Sequence, residues 1–408
     1  MLTFEEARER ILRRVAPGEV EEQELLECLG RVAGEDVVST LMLPGCDNSA
    51  MDGFAVRAED CAVGRPLRVI SFLPAGESAA GLSVEAGEAI RIMTGAPIPL
   101  GADVVVPLED TEFTESEVRP QVEVRQRQHI RFAGEDVRQG EVVVAQGTPL
   151  RAFEISLLAS LGLAKVKVYR RPRVAILATG DEVVEIGETL REGQVYNSNS
   201  IGLAAAVRAT GAEPVCIGIA RDSRESLREK IAIGLQYDAL ITAAGVSMGD
   251  RDWVREVLAE VGVQEDFWRV AIKPGKASAF ALFGNKPVFS LPGNPVSALL
   301  SFEELVRPAL LHMMGHRRLI RPLLRAKVEG KLSKKPGRLL FARVNLRVRD
   351  GELMARSAGE QDTGRQKTLS RADAIAILEA DRGVIQEGEE IRIHLLGGET
   401  ALLEPGEN

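Results

Sequence analysis

Charged and apolar positions alternate in blocks that change character along the chain. Residues 3–15 read as a helix, with Thr3 as its cap and Glu6 three residues later as the capping-box partner. A second helical stretch is expected over residues 20–29, stopped by Gly30. From about 45 to 137 the apolar runs are short and broken by Gly and Pro, as in "LRVISFL", "AIRIMTG" and "ADVVVPLED", which predicts a small β-rich domain. Residues 152–163, "AFEISLLASLGL", return to helix.

From 173 to about 315 the pattern becomes regular. Strands are expected at Val174–Ala178, Pro214–Ile219, Ala239–Ala243 and Phe267–Ile272, followed by a hairpin through "GNKP". Helices are expected at Ser200–Ala209, after Asp222 (as cap, with Glu225 in capping-box position) and at Arg251–Glu260. A last helix opens at "LPGNPVSALLSFEELV", with Asn294 as N-cap and Pro295 at the first position, where a missing N–H costs nothing. Alternating short apolar strands and helices predict an α/β domain with a doubly wound, mostly parallel sheet. Beyond Arg321 the chain turns β-rich again, as a small barrel or sandwich.

Composition changes this picture little. With 408 residues the chain exceeds one core, and three or four domains are expected. A net charge of −9 argues against nucleic-acid binding. Four cysteines without a C-x-x-C pair, an N-terminus without a signal-peptide pattern and no apolar run of membrane-spanning length predict a cytoplasmic protein with reduced thiols.

The chemistry gathers at the carboxyl ends of the expected strands, where open α/β sheets bind ligands. Those ends read "ATGDE", "ARDSRE", "AAGVSMGDRD", "IKPGKAS" and "LPGNPVS". Lys273 and Lys276 bracket "KPGK" as point charges for an anion, beside the N–H groups opened by Asn294 and Pro295. Asp181, Glu182, Asp222, Asp250 and Asp252 fall at strand ends or helix starts. Capping accounts for Asp250 and part of Asp222, but not for Glu182. Carboxylates tolerate a phosphate when a cation lies between them, which points to Mg²⁺. "GVSMG" matches G-x-S-x-G and would make Ser247 a hydrolase nucleophile. None of the later histidines, His312, His316 and His394, sits in a loop after a sheet strand, so the match reads as coincidence. "CDNSAMDGFAV" and "RIMTGAP" read as structural turns on their residues alone.

Eight segments, occurring in order, nevertheless resemble one family: "DNSAMDGFAV", "RIMTGAPIPLGADVVV", "AGEDV", "ATGDEV", "GQVYNSNS", "AGVSMGDRDW", "FWRVAIKPGKASAF" and "LPGNPVSALLSFEELV". They are similar to the MoeA-type molybdopterin molybdenumtransferases, to which the C-terminal part of gephyrin is also similar. The resemblance implies four domains: an elongated one from residues 1–44 and 138–172, an inserted β domain at 45–137, a molybdopterin-binding α/β domain at 173–320 and a C-terminal β-barrel at 321–408. It implies a homodimer whose active site lies between the α/β domain of one subunit and the inserted domain of the other. The implied reaction joins molybdate to adenylylated molybdopterin with release of AMP and help from Mg²⁺. Transient contacts with the adenylyltransferase and with molybdoenzymes follow from that place in cofactor assembly; neither nucleic acid nor membrane is expected as a partner.

Carried over by the resemblance, the catalytic positions are Asp52, Thr94, Asp136, Glu182, Asp222 and Asp252, of which Glu182, Asp222 and Asp252 hold the metal. The substrate-binding positions are Ser247, Arg269, Lys273, Lys276, Asn294, Ser297 and Arg343. Departures occur at Arg269, where Lys is frequent, at Ala244, where Gly is usual, and at Asp373, where Asn is expected. Two other readings share parts of this pattern: an adenylyltransferase, which needs only the α/β unit, and a dimeric scaffold, which needs no carboxylates at the sheet edge.

Overall fold

The computed structural model describes residues 1–244 and 253–397. Helix α1 (Phe4–Arg14) starts in the expected capping box: the Thr3 side chain accepts from the Glu6 N–H, and the Glu6 carboxylate accepts from the Thr3 N–H. Its buried face carries Phe4, Ala7 and Ile11, spaced for one side of a helix. The expected helix at 20–29 is instead a strand, Val20–Glu24, followed by a 3₁₀ turn at Leu25–Cys28. In "VEEQE" exposure alternates with period two, and the segment pairs with the strand Lys165–Tyr169.

Two compact units divide the chain. One comprises residues 35–146 and 152–165; the other comprises 1–34, 147–151 and 166–408. The first is built on β1 (Gly53–Val56), β2 (Leu67–Leu73), β3 (Glu88–Ile92), β4 (Val104–Pro107), β5 (Thr111–Phe113) and β6 (Glu117–Pro120), and it includes α2 (Ala152–Ser160). The strands form one sheet in the order β4-β1-β3-β2-β6-β5. Its two small cores, one around Phe54 and Val106 and the other around Ile90 and Ile92, are almost purely aliphatic.

The second unit holds the α/β sheet. Its strands are β7 (Arg173–Thr179), β8 (Glu213–Ala220), β9 (Ala239–Ala243), β10 (Gln264–Phe267), β11 (Ala279–Phe283) and β12 (Lys286–Leu291), ordered β8-β7-β9-β12-β11-β10. The first four are parallel, and β11 runs antiparallel to both of its neighbours, β12 and β10. Successive residues of β7 face opposite layers. Val174 and Ile176 pack with α1, α3 (Ser198–Ala209) and the helical run over residues 295–313, whereas Ala175 and Leu177 pack with α4 (Arg224–Gly234) and α5 (Trp253–Glu260). This is the doubly wound layering that apolar runs in β7 and β9 require. The expected strand Phe267–Ile272 is broken. Gln264–Phe267 stays in the sheet, while Ile272–Lys273 leaves it and pairs with Leu339–Leu340.

The long helix runs as α6 (Pro295–Ser301), a π-turn at Phe302–Val306 and α7 (Arg307–Met313). Beyond it, β13 (Leu324–Val328), β14 (Leu339–Arg349), β15 (Glu352–Ser357), β16 (Ala374–Leu378) and β17 (Glu390–Leu395) pair in the cycle β14-β15-β13-β17-β16-β14. A closed five-stranded barrel leaves no free edge, which resolves the barrel-or-sandwich choice. No helix among the described residues is long and apolar enough to cross a membrane.

Candidate active site

A cavity of ≈ 680 Å³ opens at the carboxyl ends of β7, β9 and β12. Thr179, Glu182, Asn197, Asn199, Ala244 and Asn294 line it, with Tyr196 and Gln366 also on the wall. Each position follows from local chemistry. Gly180 ends β7 with φ +138°, a conformation other residues rarely adopt, and a Cβ there would stand 2.5 Å from Glu182 Oε2. Glycine at 180 therefore makes room for the Glu182 carboxylate.

The turn is clamped from β8. Arg221 Nη1 donates to the carbonyls of Gly180, Asp181 and Val183 at 3.3, 3.2 and 2.9 Å. The Asp222 N–H donates to Asp181 Oδ1 at 3.1 Å. Asp222 thus belongs to the loop, and Ser223, not Asp222, caps α4 by accepting from the Ser226 N–H. A short parallel pairing of Val183–Val184 with Val195–Tyr196 folds the chain back over the cavity.

The opposite wall is made of amides. Asn197 caps α3 through the Ser200 N–H. Asn199 Nδ2 donates to the Gly293 carbonyl at 2.7 Å, while its Oδ1 is buried without a partner. Asn294 is the N-cap residue as expected, but its side chain makes no capping bond; Nδ2 donates instead to Thr363 Oγ1 at 3.0 Å. Ala244 sits at φ +82°, and a Cβ at Gly293 would come within 3.1 Å of its own Cβ. With alanine at 244, a side chain at 293 would press on it.

Other expected site residues lie elsewhere. Ser247, Asp250 and Asp252 are outside the described residues. Neither Lys273 nor Lys276 lines the cavity. The KPGK loop reaches it only through Ala277, because Ile272–Lys273 has left the sheet for the barrel. Lys276 and Arg269 line a separate surface groove beside Met1 and Trp268. Ser297 is buried in the first turn of α6. Arg343 is 1% exposed, and its guanidinium is engaged by Gln361 Oε1 and by the carbonyls of Glu360 and Asp362. The lysines and the carboxylate expected on one edge are therefore not brought onto one wall. The only charged side chain on the cavity wall, among the described residues, is Glu182. No three His, Cys, Asp or Glu side chains are grouped to hold a metal among those residues. Among the described residues, no histidine lines the cavity.

Asp52, Thr94 and Asp136 belong to the other unit. Both the N–H and Oγ1 of Thr94 donate to Asp52 Oδ1, each at 2.7 Å. Those two donors, the backbone one foremost, hold the Asp52 carboxyl below the usual range. The turns that the residues alone marked as structural therefore contain an ionised, oriented carboxylate. Asp136 follows the Gly134–Glu135 turn, and its N–H donates to the Leu43 carbonyl at 3.0 Å.

Sequence reasoning missed Tyr196, Asn199, Arg221 and Gln366. The polar run "YNSNS" before a helix was the available signal for the first two. Nothing local marks Arg221 or Gln366, which reach the site through the fold.

A doubly wound α/β domain with a cavity at its strand ends and a β-barrel after its last helix define a multidomain α/β protein with its candidate site at the sheet edge. Residues 175–312 match the family model described as "Probable molybdopterin binding domain". Residues 2–162 match the MoeA N-terminal region (domain I and II), and residues 325–396 match the MoeA C-terminal region (domain IV). A molybdopterin molybdenumtransferase of Haemophilus influenzae is 38% identical over 410 residues, covering 97% of this chain and 100% of that protein. Molybdopterin molybdenumtransferase 2 of Mycobacterium tuberculosis is 36% identical, covering 90% of this chain and 93% of its own length. The crystal structure of a molybdopterin biosynthesis MoeA protein from Pyrococcus horikosii superimposes with a TM-score of 0.84 at 31% identity, covering 98% of this chain and all of that one. The chain belongs to the MoeA family.

Proposed function

We propose that the chain is a molybdopterin molybdenumtransferase, which takes molybdate and adenylylated molybdopterin, releases AMP and leaves molybdenum on the dithiolene. The observation that carries this reading is Glu182 on the wall of a sheet-edge cavity, in a chain whose relatives of that activity align along nearly its whole length. The α3 N-terminus and the amides of Asn199 and Asn294 supply uncharged donors suited to phosphate oxygens. We read the chain as the four domains whose boundaries are set out above, and as cytoplasmic.

Mg²⁺ fits the donor set. The cavity offers oxygen ligands only, with a carboxylate at Glu182 and an orphaned buried acceptor at Asn199 Oδ1. Glu182 would hold the ion together with phosphate oxygens of the substrate; Asp222, in the adjoining loop, and Asp252, outside the described residues, are proposed as its further ligands. When bound, the ion supplies charge neutralisation at the phosphoanhydride. The chain's own residues do the rest: Glu182 is positioned by Gly180 and by the Arg221 clamp, and Asp52 is kept ionised by Thr94 to orient water or a proton.

Because Asp52, Thr94 and Asp136 lie in a different compact unit, we propose a homodimer in which that unit of one subunit completes the cavity of the second. The test is AMP release from adenylylated molybdopterin with molybdate, in Glu182→Gln and Asp52→Asn. Each variant should stay folded and lose at least ~100-fold in turnover. Mixing the two inactive variants should restore activity at one site per dimer. Normal turnover in both single variants would sink the reading, and absent complementation would sink the shared site.

A further inference from the structure

We propose that Gln366, carried by the barrel, hydrogen-bonds the edge of a fused nitrogen heterocycle in the bound substrate, and that Gln361 is the residue that positions it. This rests on the molybdenumtransferase reading and adds to it a contact that recognises a ring.

A cavity of ≈ 680 Å³ holds far more than a phosphate link, so it has room for a ring system as well. Phosphate oxygens only accept hydrogen bonds. A heterocycle edge presents a donor beside an acceptor, as adenine and pterin both do, and a carboxamide matches it with an acceptor beside a donor. Asn197, Asn199, Asn294 and Gln366 bring amides to the wall. Three of them are committed within the fold. Asn197 Oδ1 accepts from the Ser200 N–H, Asn199 Nδ2 donates to the Gly293 carbonyl, and Asn294 Nδ2 donates to Thr363 Oγ1. Gln366 is exposed, and among the described residues its side chain makes no hydrogen bond. Both ends of its amide are open to a ligand.

Gln366 opens α8 (Gln366–Ser370), and the loop before it is locked to the barrel. Gln361 Oε1 accepts from the Arg343 N–H at 2.9 Å and from Arg343 Nε at 3.2 Å. Its Nε2 donates to the carbonyls of Arg343 and Gly359, each at 3.0 Å. The Arg343 guanidinium holds the carbonyls of Glu360 and Asp362 on either side. Asp362 Oδ1 then accepts from the Gly364 N–H at 2.8 Å, and the Asp362 carbonyl from the Arg365 N–H at 3.3 Å. These bonds run without a break from β14 to the residue before Gln366. Thr363 ties the same loop to Asn294 at the start of α6, so the loop is fixed at the barrel and at the cavity. All of these elements lie in one compact unit. An exposed loop needs no such anchorage for stability alone, whereas a side chain that must meet a ring edge needs its backbone held.

The experiment is calorimetric titration of the full chain with AMP, with ribose 5-phosphate and with molybdopterin, on wild type, Gln366→Ala, Gln361→Ala and the double variant. Gln366 is exposed, so Gln366→Ala should fold, and it decides the contact if Gln361→Ala does not. Expected is a five- to tenfold loss of affinity, of about the size of one hydrogen bond, for AMP or for molybdopterin, with ribose 5-phosphate unchanged. A loss on AMP assigns the amide to adenine; a loss on molybdopterin assigns it to the pterin. Gln361→Ala should weaken the same ligand, and the double variant should bind no worse than Gln366→Ala, because Gln361 acts through Gln366. Unchanged affinity for both ligands in Gln366→Ala, or an equal loss on ribose 5-phosphate, overturns the contact. Additive losses in the double variant overturn the positioning role. Either result leaves the molybdenumtransferase reading standing as long as Glu182→Gln still abolishes AMP release.

Discussion

Gly180→Ala separates the position of Glu182 from its chemistry. A Cβ at 180 would lie 2.5 Å from Glu182 Oε2, and ordinary contact begins at 3.4 Å. The backbone cannot give way easily, because three bonds from Arg221 and one from the Asp222 N–H hold residues 180–183. The carboxylate must therefore swing aside by about 1 Å, a displacement that costs about 100-fold when the group positions a reacting centre. Alanine at φ +138° adds backbone strain of about 1–3 kcal/mol, confined to this loop. The expected result is kcat/KM for AMP release down about 100-fold, approaching the Glu182→Gln value, with a Tm loss of a few degrees at most. Purified variant and wild type would be compared by single-turnover AMP release and by thermal unfolding. Wild-type kcat/KM in a folded Gly180→Ala protein would refute the claim that this glycine exists to place the carboxylate.

Three further outcomes follow from the same geometry. Ala244→Gly relieves a residue held at φ +82°, worth about 1–2 kcal/mol, against about 0.4–1 kcal/mol of added unfolded-state entropy, so denaturant unfolding should show a small net gain; a loss would show that Ala244 packs better than its backbone suggests. Thr94→Val removes the hydroxyl donor to Asp52 but keeps the backbone one. Asp52 is then less acidic, so the acid limb of the kcat/KM–pH profile should move to higher pH, and an unmoved limb would exclude Asp52 from it. The sign holds for stability as well: a depressed carboxylate favours the fold above its unfolded pKa, and that contribution disappears as pH falls through the folded value. Arg221→Ala frees three carbonyls of the Glu182 loop and should lower kcat/KM about tenfold while proteolysis within 180–197 quickens; equal cleavage rates would show that the pairing at Val183–Tyr196 suffices without the clamp.

What the sequence determined by itself was local and periodic. The capping box at Thr3, the continuous apolar strands β7 and β9, the hairpin at "GNKP" and proline at the first turn of α6 each depend on neighbouring residues, and each stands where expected. Glu182 was legible for a similar reason: it lies in the loop that leaves a buried strand end at the edge of the sheet. Tertiary structure alone decided what depends on partners distant along the chain. Residues 20–24 look helical in isolation but pair with 165–169 as a strand. Lys273 stands in a phosphate-like loop, yet its strand pairs with the barrel and carries it off the cavity wall. Arg343 is an anion ligand by the family resemblance, but three loop acceptors hold its guanidinium in the interior. Asn199, Arg221 and Gln366 reach the site only because separate elements close around one space. Hydrogen-bond partners far apart along the chain leave no periodic trace, so charge type could be read from the sequence while its direction could not.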